Sequence, residues 1–433
     1  MRRLMAFTTI WLLIVLLAWA QDGISNSGSQ STVTISKEEF DALKARLDQL
    51  EQEVRQLKAA QTQPAPEPAQ TAAAEPAETP PAAAEPTTEP AGGRQLQLPD
   101  ISLIVQAKGL ATDDRNDPAK QKIELSEAEL GIQGYVYPNV KADAFIAASP
   151  AEDEPAQVEE AYLTYIGALK GLNINVGKKH VPFGRTNLLH NHSWLYVRQP
   201  YVLANFVAPE SLAGQGANFS YVLPTGSDLF AQLDLGVWAN GTEGEPSDLP
   251  DIMAGPGANV TDRFNTARLW ASYPVAENSE IEIGGSYLDG QSKREADPAT
   301  GVLLPADYVH IKGVDLSFRR FGEGSRRLLL RGEHFWRTGT TDSNDALAKG
   351  YYLFGDYRWS KYGSLGLLYD WSEFPQDVTR HESAMSLILT KQFSEQYYLR
   401  LQATHGRRPD CGLFNELWLQ WCWGMGPHTH NLE

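Results

Sequence analysis

From Asp100 to the end of the chain, apolar and polar residues alternate with a period of two, and the connections between the alternating segments are short and long in turn. Few architectures accommodate both properties. Ile101, Leu103, Val105 and Ala107 alternate with Ser102, Gln106 and Lys108, and Ala128, Leu130, Ile132 and Val136 alternate with Glu127, Glu129 and Gln133. An extended chain sends successive side chains to opposite faces, so each segment reads as a strand with one apolar and one polar face. Similar segments recur at about 140–148, 158–167, 172–180, 213–223, 228–238, 264–274, 279–288 and 308–320. They continue at about 326–337, 350–359, 362–372, 382–391, 396–404 and 413–424, for a total of roughly sixteen. An even number of that size falls within the range of outer-membrane barrels.

The odd-to-even connections are the long ones: 109–121, 149–157, 181–212, 239–263, 289–307, 338–349, 373–381 and 405–412. The even-to-odd connections are tight: Pro138-Asn139, Gly167 to Gly171, Pro224 to Ser227, Pro274 to Asn278, Phe321 to Gly324, Ser360-Lys361 and Gln392 to Ser394. A transmembrane barrel with both termini in the periplasm sorts its loops this way, and a soluble sandwich has no reason to. The expected fold is therefore all-β, an antiparallel transmembrane barrel of about sixteen strands over residues 98–428. No stretch after the N-terminus approaches the ~20 apolar residues of a spanning helix, so any spanning must be done by strands.

Tyr135, Tyr137, Tyr351, Tyr357, Trp359, Tyr397 and Tyr398 sit near strand ends, where aromatic girdles are expected. Parity assigns to the lumen Glu127, Glu129, Lys141, Asp143, Glu160, Asp234, Arg268, Asp315, Arg319, Arg331, Glu333, Asp356, Arg358 and Arg400. The pattern breaks at His310 to Lys312, which predicts a bulge there.

Three different segments precede the barrel. Arg2 and Arg3, an apolar run from Ile10 to Leu17 and Ala18-Trp19-Ala20 make residues 1–20 a secretory signal peptide. Between Ser36 and Ala60 the period becomes helical: Ser36 and Glu39 form a capping box, and Phe40, Leu43, Leu47, Leu50, Val54 and Leu57 occupy successive a and d positions. Arg46 with Glu51 and Glu53 with Lys58 give attractive g-to-e pairs, as in a short parallel coiled coil; a lone amphipathic helix resting on a partner is the alternative. Residues 61–95 are rich in Pro, Ala, Glu and Thr, a semi-rigid spacer with no means of forming a core.

The segment that departs most from the two-residue period is Gly177 to Pro224, with Pro182, Pro200, Pro209, Gly184, Gly214, Gly216, His190, His192, Trp194 and Tyr196. Long loops in compact domains are functional or disordered, and this one is too aromatic to be a disordered linker.

Several stretches also resemble a known family. They are ELSEAELGIQGYVYPNVKADAFIA (124–147), VEEAYLTY (158–165), GKKHVPFGR (177–185) with Asn187, His190, His192 and Pro200, GQGANFSYVLP (214–224) and LWLQWCWGMGPH (417–428). Together they resemble bacterial outer-membrane porins of the phosphate-selective porin O and P type, more closely the relatives with an N-terminal coil. The resemblance implies a trimeric channel whose third long loop, here 181–212, bends into the lumen and narrows it. On that implication Arg185, His190, His192 and Arg198 line a constriction, which fits a loop with only Glu210 as an acidic residue between Lys178 and Gly216. Two departures stand out. The chain ends Asn431-Leu432-Glu433 rather than on an aromatic residue, and it has no lysine cluster suited to phosphate.

Charge bears on the second departure. Residues 96–433 hold 29 Lys and Arg against 42 Asp and Glu, a net of −13, which does not advertise anion capture. Arg319, Arg320, Arg326, Arg327, Arg331 and Arg337 nevertheless concentrate on one hairpin. Facing carboxylates across the lumen, they would give the field of a general diffusion pore; Arg319, Arg320, Arg326 and Arg327, beside a tight turn, read better as meeting solvent or headgroups, and Arg331 as the lumen residue.

Other chemistry is poorly represented. His190-Asn191-His192 and His428-Thr429-His430 could each present two imidazoles to a transition metal, but with no Cys or carboxylate next to them in sequence they read as polar loop residues, so no metal is expected. Cys411 and Cys422 sit ~36 Å apart along a continuous strand, far beyond the ~7 Å limit of a disulfide. No Walker loop, GxSxG elbow or HExxH is present, so neither an enzyme nor a cofactor is predicted. The resulting expectation is a porin for passive diffusion of small polar solutes or ions, in contact with outer-membrane lipid, as a homotrimer whose coil could touch the cell wall. A structural tether acting through the coil and a metal-binding outer-membrane protein are the alternatives.

Overall fold

A computed structural model of the chain describes residues 98–427 except 116, 118, 150–155, 208–209, 240–262, 292–299, 303–307, 341–346, 376 and 410. The chain divides into two units, Met1–Arg94 and Gln95–Glu433, and every described residue belongs to the second. The signal peptide, the coil with its Phe40, Leu43, Leu47, Leu50, Val54 and Leu57, the spacer to residue 95, and His428 to Glu433 lie outside the described residues.

The alternating segments become sixteen strands. The first eight are β1 (Asp100–Thr112), β2 (Lys122–Tyr137), β3 (Val140–Ala148), β4 (Gln157–Leu169), β5 (Leu172–His180), β6 (Ala213–Val222), β7 (Phe230–Ala239) and β8 (Arg263–Ala276). The second eight are β9 (Ser279–Gln291), β10 (Tyr308–Phe321), β11 (Arg327–Thr340), β12 (Ala348–Ser360), β13 (Gly363–Phe374), β14 (Asp377–Ser394), β15 (Tyr397–Arg408) and β16 (Gly412–Met425). Each pairs antiparallel with its neighbours in sequence, and β1 pairs with β16 through partners such as Ala107 and Trp421, closing the barrel. Closure leaves no edge strand, the condition for placing a sheet in lipid.

Outward positions carry apolar side chains in the middle of the strands. Leu353 is 59% exposed and Met385 60%, and Ile283, Leu330 and Leu367 are similarly bare. A continuous belt of this kind is untenable in water and is what hydrocarbon solvates. Tyr135, Tyr137, Tyr273, Tyr357 and Tyr397 ring the end with the tight turns. At the other end Tyr351 lies 6.1 Å from Tyr369 and 5.7 Å from Trp371, ring centre to ring centre. Tyr398 does not belong to a girdle: it faces inward, buried against Ile104 and Cys422.

Three details differ from the sequence expectation. The connections expected at 373–381 and 405–412 are largely strand, because the ladder continues through Glu373 with His381 and through His405 with Asn415. Polar residues such as His381 and His405 stand on the outward face there, so alternation fades while the backbone keeps pairing. No bulge occurs at His310 to Lys312, since β10 keeps unbroken register with β9 and β11. Val309 and Ile311 point inward and are fully buried, so polarity, not geometry, is what fails to alternate. Third, the register shifts elsewhere: Phe145 faces Glu160 while Ile146 faces Val158, so Glu159 is the extra residue of a bulge in β4. Cys411 and Cys422 are both free thiols.

Candidate functional site

The connection between β5 and β6 holds two 3-10 turns, Thr186–Leu188 and Asn191–Ser193, and one short helix, α1 (Tyr201–Phe206). Its neck is closed by one side chain. Asn187 donates from Nδ2 to the carbonyls of Val181 (2.8 Å) and Leu212 (3.0 Å) and accepts the Leu212 amide at 2.7 Å. The Val181 amide also donates to Leu212 at 2.9 Å, so entry and exit are tied together.

Beyond the neck the chain reverses at Gly184, whose φ of +65° suits a residue without Cβ. The reversal aims successive amides at the wall of the barrel. Gly184 N–H donates to Ser286 on β9 (2.9 Å), and the Arg185 and Thr186 amides both donate to Glu333 on β11 (2.9 Å each). Tyr352 on β12 donates to the same carboxylate at 2.7 Å and bonds the Thr186 hydroxyl, also at 2.7 Å. The Arg185 side chain pairs with Glu282 at 3.0 Å.

A second anchor lies on the opposite wall. His190 bonds Glu129 (2.8 Å) and Glu159 (3.1 Å) through Nδ1 and Glu160 (2.9 Å) through Nε2. Burial disfavours charge on this imidazole, but the hydrogen bonds to the three carboxylates outweigh it and hold its pKa well above the ordinary value. His192 Nδ1 lies 3.6 Å from Glu129 and 3.9 Å from Glu127. Asn191 bonds Glu127 and Gln106, and Gln106 bonds Gln420, so this contact extends onto β1 and β16.

The third anchor is Asp370 on β13. It takes both guanidinium nitrogens of Arg198 (2.8 and 3.3 Å) and the Tyr201 amide (3.0 Å) at the start of α1. Gln402 on β15 accepts the Val197 and Arg198 amides at 2.7 and 3.3 Å, and Tyr398 donates to the His192 carbonyl at 2.6 Å. At the far end of α1, Asn205 donates to Glu382 (2.8 Å) and Ser372 (3.2 Å). The loop therefore sits inside the barrel, bonded to inward-facing side chains on opposite walls.

Apolar packing completes the seat. Phe183, Leu189, Trp194, Tyr196, Val202, Leu203 and Phe206 share one buried cluster with Phe264, Leu288, Val309, Ile311, Leu329, Phe335, Phe354 and Ile388. Phe183 stacks on Phe335 at 5.6 Å, and Tyr196 meets Phe354 edge-on at 5.6 Å. Burying each large side chain is worth roughly 1.5–3 kcal/mol, so this face of the lumen is apolar because the loop covers it.

The parity-assigned residues lie on the inward face. Glu127, Glu129, Asp143, Glu160, Asp234, Arg268, Asp315, Arg331, Glu333, Asp356 and Arg400 are buried, while Lys141, Arg319 and Arg358 keep partial exposure. The arginines do not form a wall of one sign: Arg268 pairs with Asp315 (2.9 Å), Arg319 with Glu282 (3.0 Å) and Arg327 lies 3.6 Å from Asp356. Arg320 and Arg326 are exposed beside the tight turn as expected, whereas Arg319 and Arg327 turn inward, because their strand parity continues to the end of the hairpin. His190 and His192 do have carboxylates beside them, supplied by β2 and β4 rather than by neighbours in sequence.

Some contributors escape the sequence reading. Glu282 and Asp370 follow the same parity as their strands and were open to it. Glu159 was not, because only the bulge turns two consecutive glutamates inward. Nothing in the sequence singles out Asn187 as the clasp of the neck.

No protein-family model matches the sequence. An uncharacterized protein of Aquifex aeolicus (strain VF5) is 29% identical over 227 residues, 50% of this chain and 46% of that one. The match thus spans less than half the length of that relative. Among solved structures, the fold is similar to that of the anion-selective porin from Comamonas acidovorans, with a TM-score of 0.51 at 10% identity over 76% of this chain and 99% of that chain. It is also similar to in-vitro folded OmpT, an outer membrane protein of Vibrio cholerae, with a TM-score of 0.50 at 10% identity over 76% and 97% of the two chains. A trimer form of the same OmpT gives 0.50 at 8% identity over 76% and 99%. The barrel architecture is shared with outer-membrane porins.

Proposed function

We propose that this chain is an outer-membrane porin, a water-filled channel for passive diffusion of small polar solutes or ions, narrowed by the loop 181–212. The observation that carries the reading is a long loop bonded inside a closed barrel while inward-facing charges beside it stay partly exposed. The side chains of Lys141, Glu159, Arg319 and Arg408 are 29%, 21%, 23% and 24% exposed, as expected of groups bordering residual water. In this reading Arg185, His190 and Arg198 set the aperture by holding the loop rather than by meeting solute, since each is ion-paired to the wall. His192, buried beside them, does the same.

The proposal places the protein in the outer membrane, with the signal peptide removed and the coil in the periplasm, and relates it to the phosphate-selective porin O and P type without assigning it phosphate. Its barrel is acidic and Arg268, Arg319 and Arg327 are each matched by a nearby carboxylate, so cations are favoured over anions. A homotrimer fits both the coil and the trimer form of the Vibrio cholerae OmpT neighbour. Contact of the coil with the cell wall would be seen as retention of residues 21–95 on purified peptidoglycan. Catalysis has no part in this reading. The test is current across a planar bilayer: purified protein should insert with discrete ohmic steps and a cation-selective reversal potential in a KCl gradient. Insertion without current would sink the channel, and an anion-selective potential would sink the charge argument.

A further inference from the structure

The carboxylate wall that receives His190 contains more than a hydrogen-bond anchor needs. Glu129, Glu159 and Glu160 converge on one imidazole there, and Glu127 stands beside them against Asn191 and His192. One carboxylate would suffice to hold the ring. Concentrating several away from bulk water is costly unless cations compensate them.

His190 divides its two nitrogens between two environments. Nδ1 faces Glu129 at 2.8 Å and Glu159 at 3.1 Å, carboxylates able to accept its proton. Nε2 faces Glu160 at 2.9 Å on the other side. A carboxylate that takes Nδ1–H fixes the ring as most metal-bound histidines are fixed, and an ion that displaces the proton Nε2 shares with Glu160 would gain both groups as ligands. Glu160 is oriented in the same way: its Oε1 accepts the His180 amide at 2.6 Å, leaving Oε2 directed at His190.

His180 supplies an independent observation. It is 6% exposed, its ring centre lies 4.5 Å from that of His190, and its Nδ1 has no hydrogen-bond partner among the described residues. A buried ring nitrogen without a partner is unusual and calls for a ligand. One ligand atom from each of Glu160, His180 and His190 lies within 4.8 Å of the others.

We infer that Glu160, His180 and His190 form a site for a divalent first-row transition ion of the Zn2+ class, which ties the loop to the barrel wall at β4 and β5. Two imidazoles and one carboxylate are a common donor set for Zn2+, with a fourth position left to water. Bonds of ~2.0–2.1 Å in a tetrahedron spread ligand atoms ~3.3 Å apart, so Nε2 of His190 and Oε2 of Glu160 need to separate by only a few tenths of an ångström. Phe145, whose ring centre is 5.2 Å from that of His190, shields one side. Glu129 with His190 and His192 forms a neighbouring group of similar span, but there Glu129 accepts from His190 and acts as the outer partner.

The test uses the full chain without a histidine tag, purified in detergent, stripped with chelator, and titrated with Zn2+ and then Co2+. It reads binding, not conduction, so it stands apart from the porin reading. The expected result is one Zn2+ per chain at micromolar affinity or tighter, with the visible absorption of four- or five-coordinate Co2+. H180A and the isosteric E160Q should each weaken binding by more than about 100-fold, while E129Q, altering an outer partner, costs about 10–100-fold. H192A, which touches the outer partner Glu129, should cost no more than E129Q, the double variant H428A/H430A should leave binding unchanged, and the mobility shift of unboiled samples on gels verifies that each barrel is folded. Absence of binding at micromolar Zn2+ overturns the site, as does binding that survives H180A and E160Q or is lost in H192A alone.

Discussion

Replacing Asn187 by Ala tests the neck of the loop with little effect on the barrel, because among the described residues this side chain bonds only Val181 and Leu212 at the ends of the loop. The substitution removes three hydrogen bonds but not with equal effect. The Leu212 carbonyl keeps the Val181 amide at 2.9 Å, whereas the Leu212 amide and the Val181 carbonyl lose the Asn187 partner. A buried donor left without a partner costs about 1–3 kcal/mol, and the lost acceptor contact adds about 0.5–1.5 kcal/mol. A total of about 2–4 kcal/mol raises the open fraction of the neck by about 30- to 700-fold. Amide hydrogen exchange followed by mass spectrometry reads this directly: protection of Val181 and Leu212 should fall by that factor while the β10 to β15 ladders keep theirs. Asn187→Asp keeps an acceptor for the Leu212 amide but sets a carboxylate oxygen against two carbonyl oxygens, so it should be at least as damaging. Unchanged protection in Asn187→Ala, or a milder effect of Asn187→Asp, refutes the reasoning.

Other perturbations probe the remaining anchors. Gly184→Ala must adopt a left-handed conformation costing about 1–2 kcal/mol and brings Cβ against the Glu333 carboxylate, so proteolysis within residues 186–207 should accelerate relative to wild type. Asp370→Ala leaves Arg198 buried without its carboxylate and should cost about 3–5 kcal/mol, with a much smaller loss once Arg198→Ala is added; equal losses in urea unfolding would mean the pair is not coupled. Leu353→Arg, on the lipid face, should lower the stability of the vesicle-folded barrel by about 2–4 kcal/mol, and a neutral result would remove that position from the membrane.

The barrel was legible because a two-residue period is local: Glu127, Glu129, Asp315 and Glu333 declare their face through their own neighbours. The period misleads where the lumen stops being polar. Val309 and Ile311 look like a register fault until the loop that covers them is in place. It also fades beyond the membrane, where β14 and β15 go on pairing with polar residues on both faces. The loop announced itself by composition, but its anchors could not be read. Arg198 and Asp370 are 172 residues apart, and Arg185 and Glu333 are 148 apart. Such pairings are set by barrel closure, and a bulge decides whether Glu159 joins them.

The most direct trial of the central claim is single-channel current through the purified protein in a planar bilayer, measured for wild type and for a chain lacking Leu188 to Phe206. That deletion removes the His190 and Arg198 anchors together with most of the apolar seat. A porin narrowed from within should give ohmic steps in wild type and clearly larger steps after the deletion. Silence from an inserted wild-type barrel, or steps of equal size in the two proteins, would contradict it.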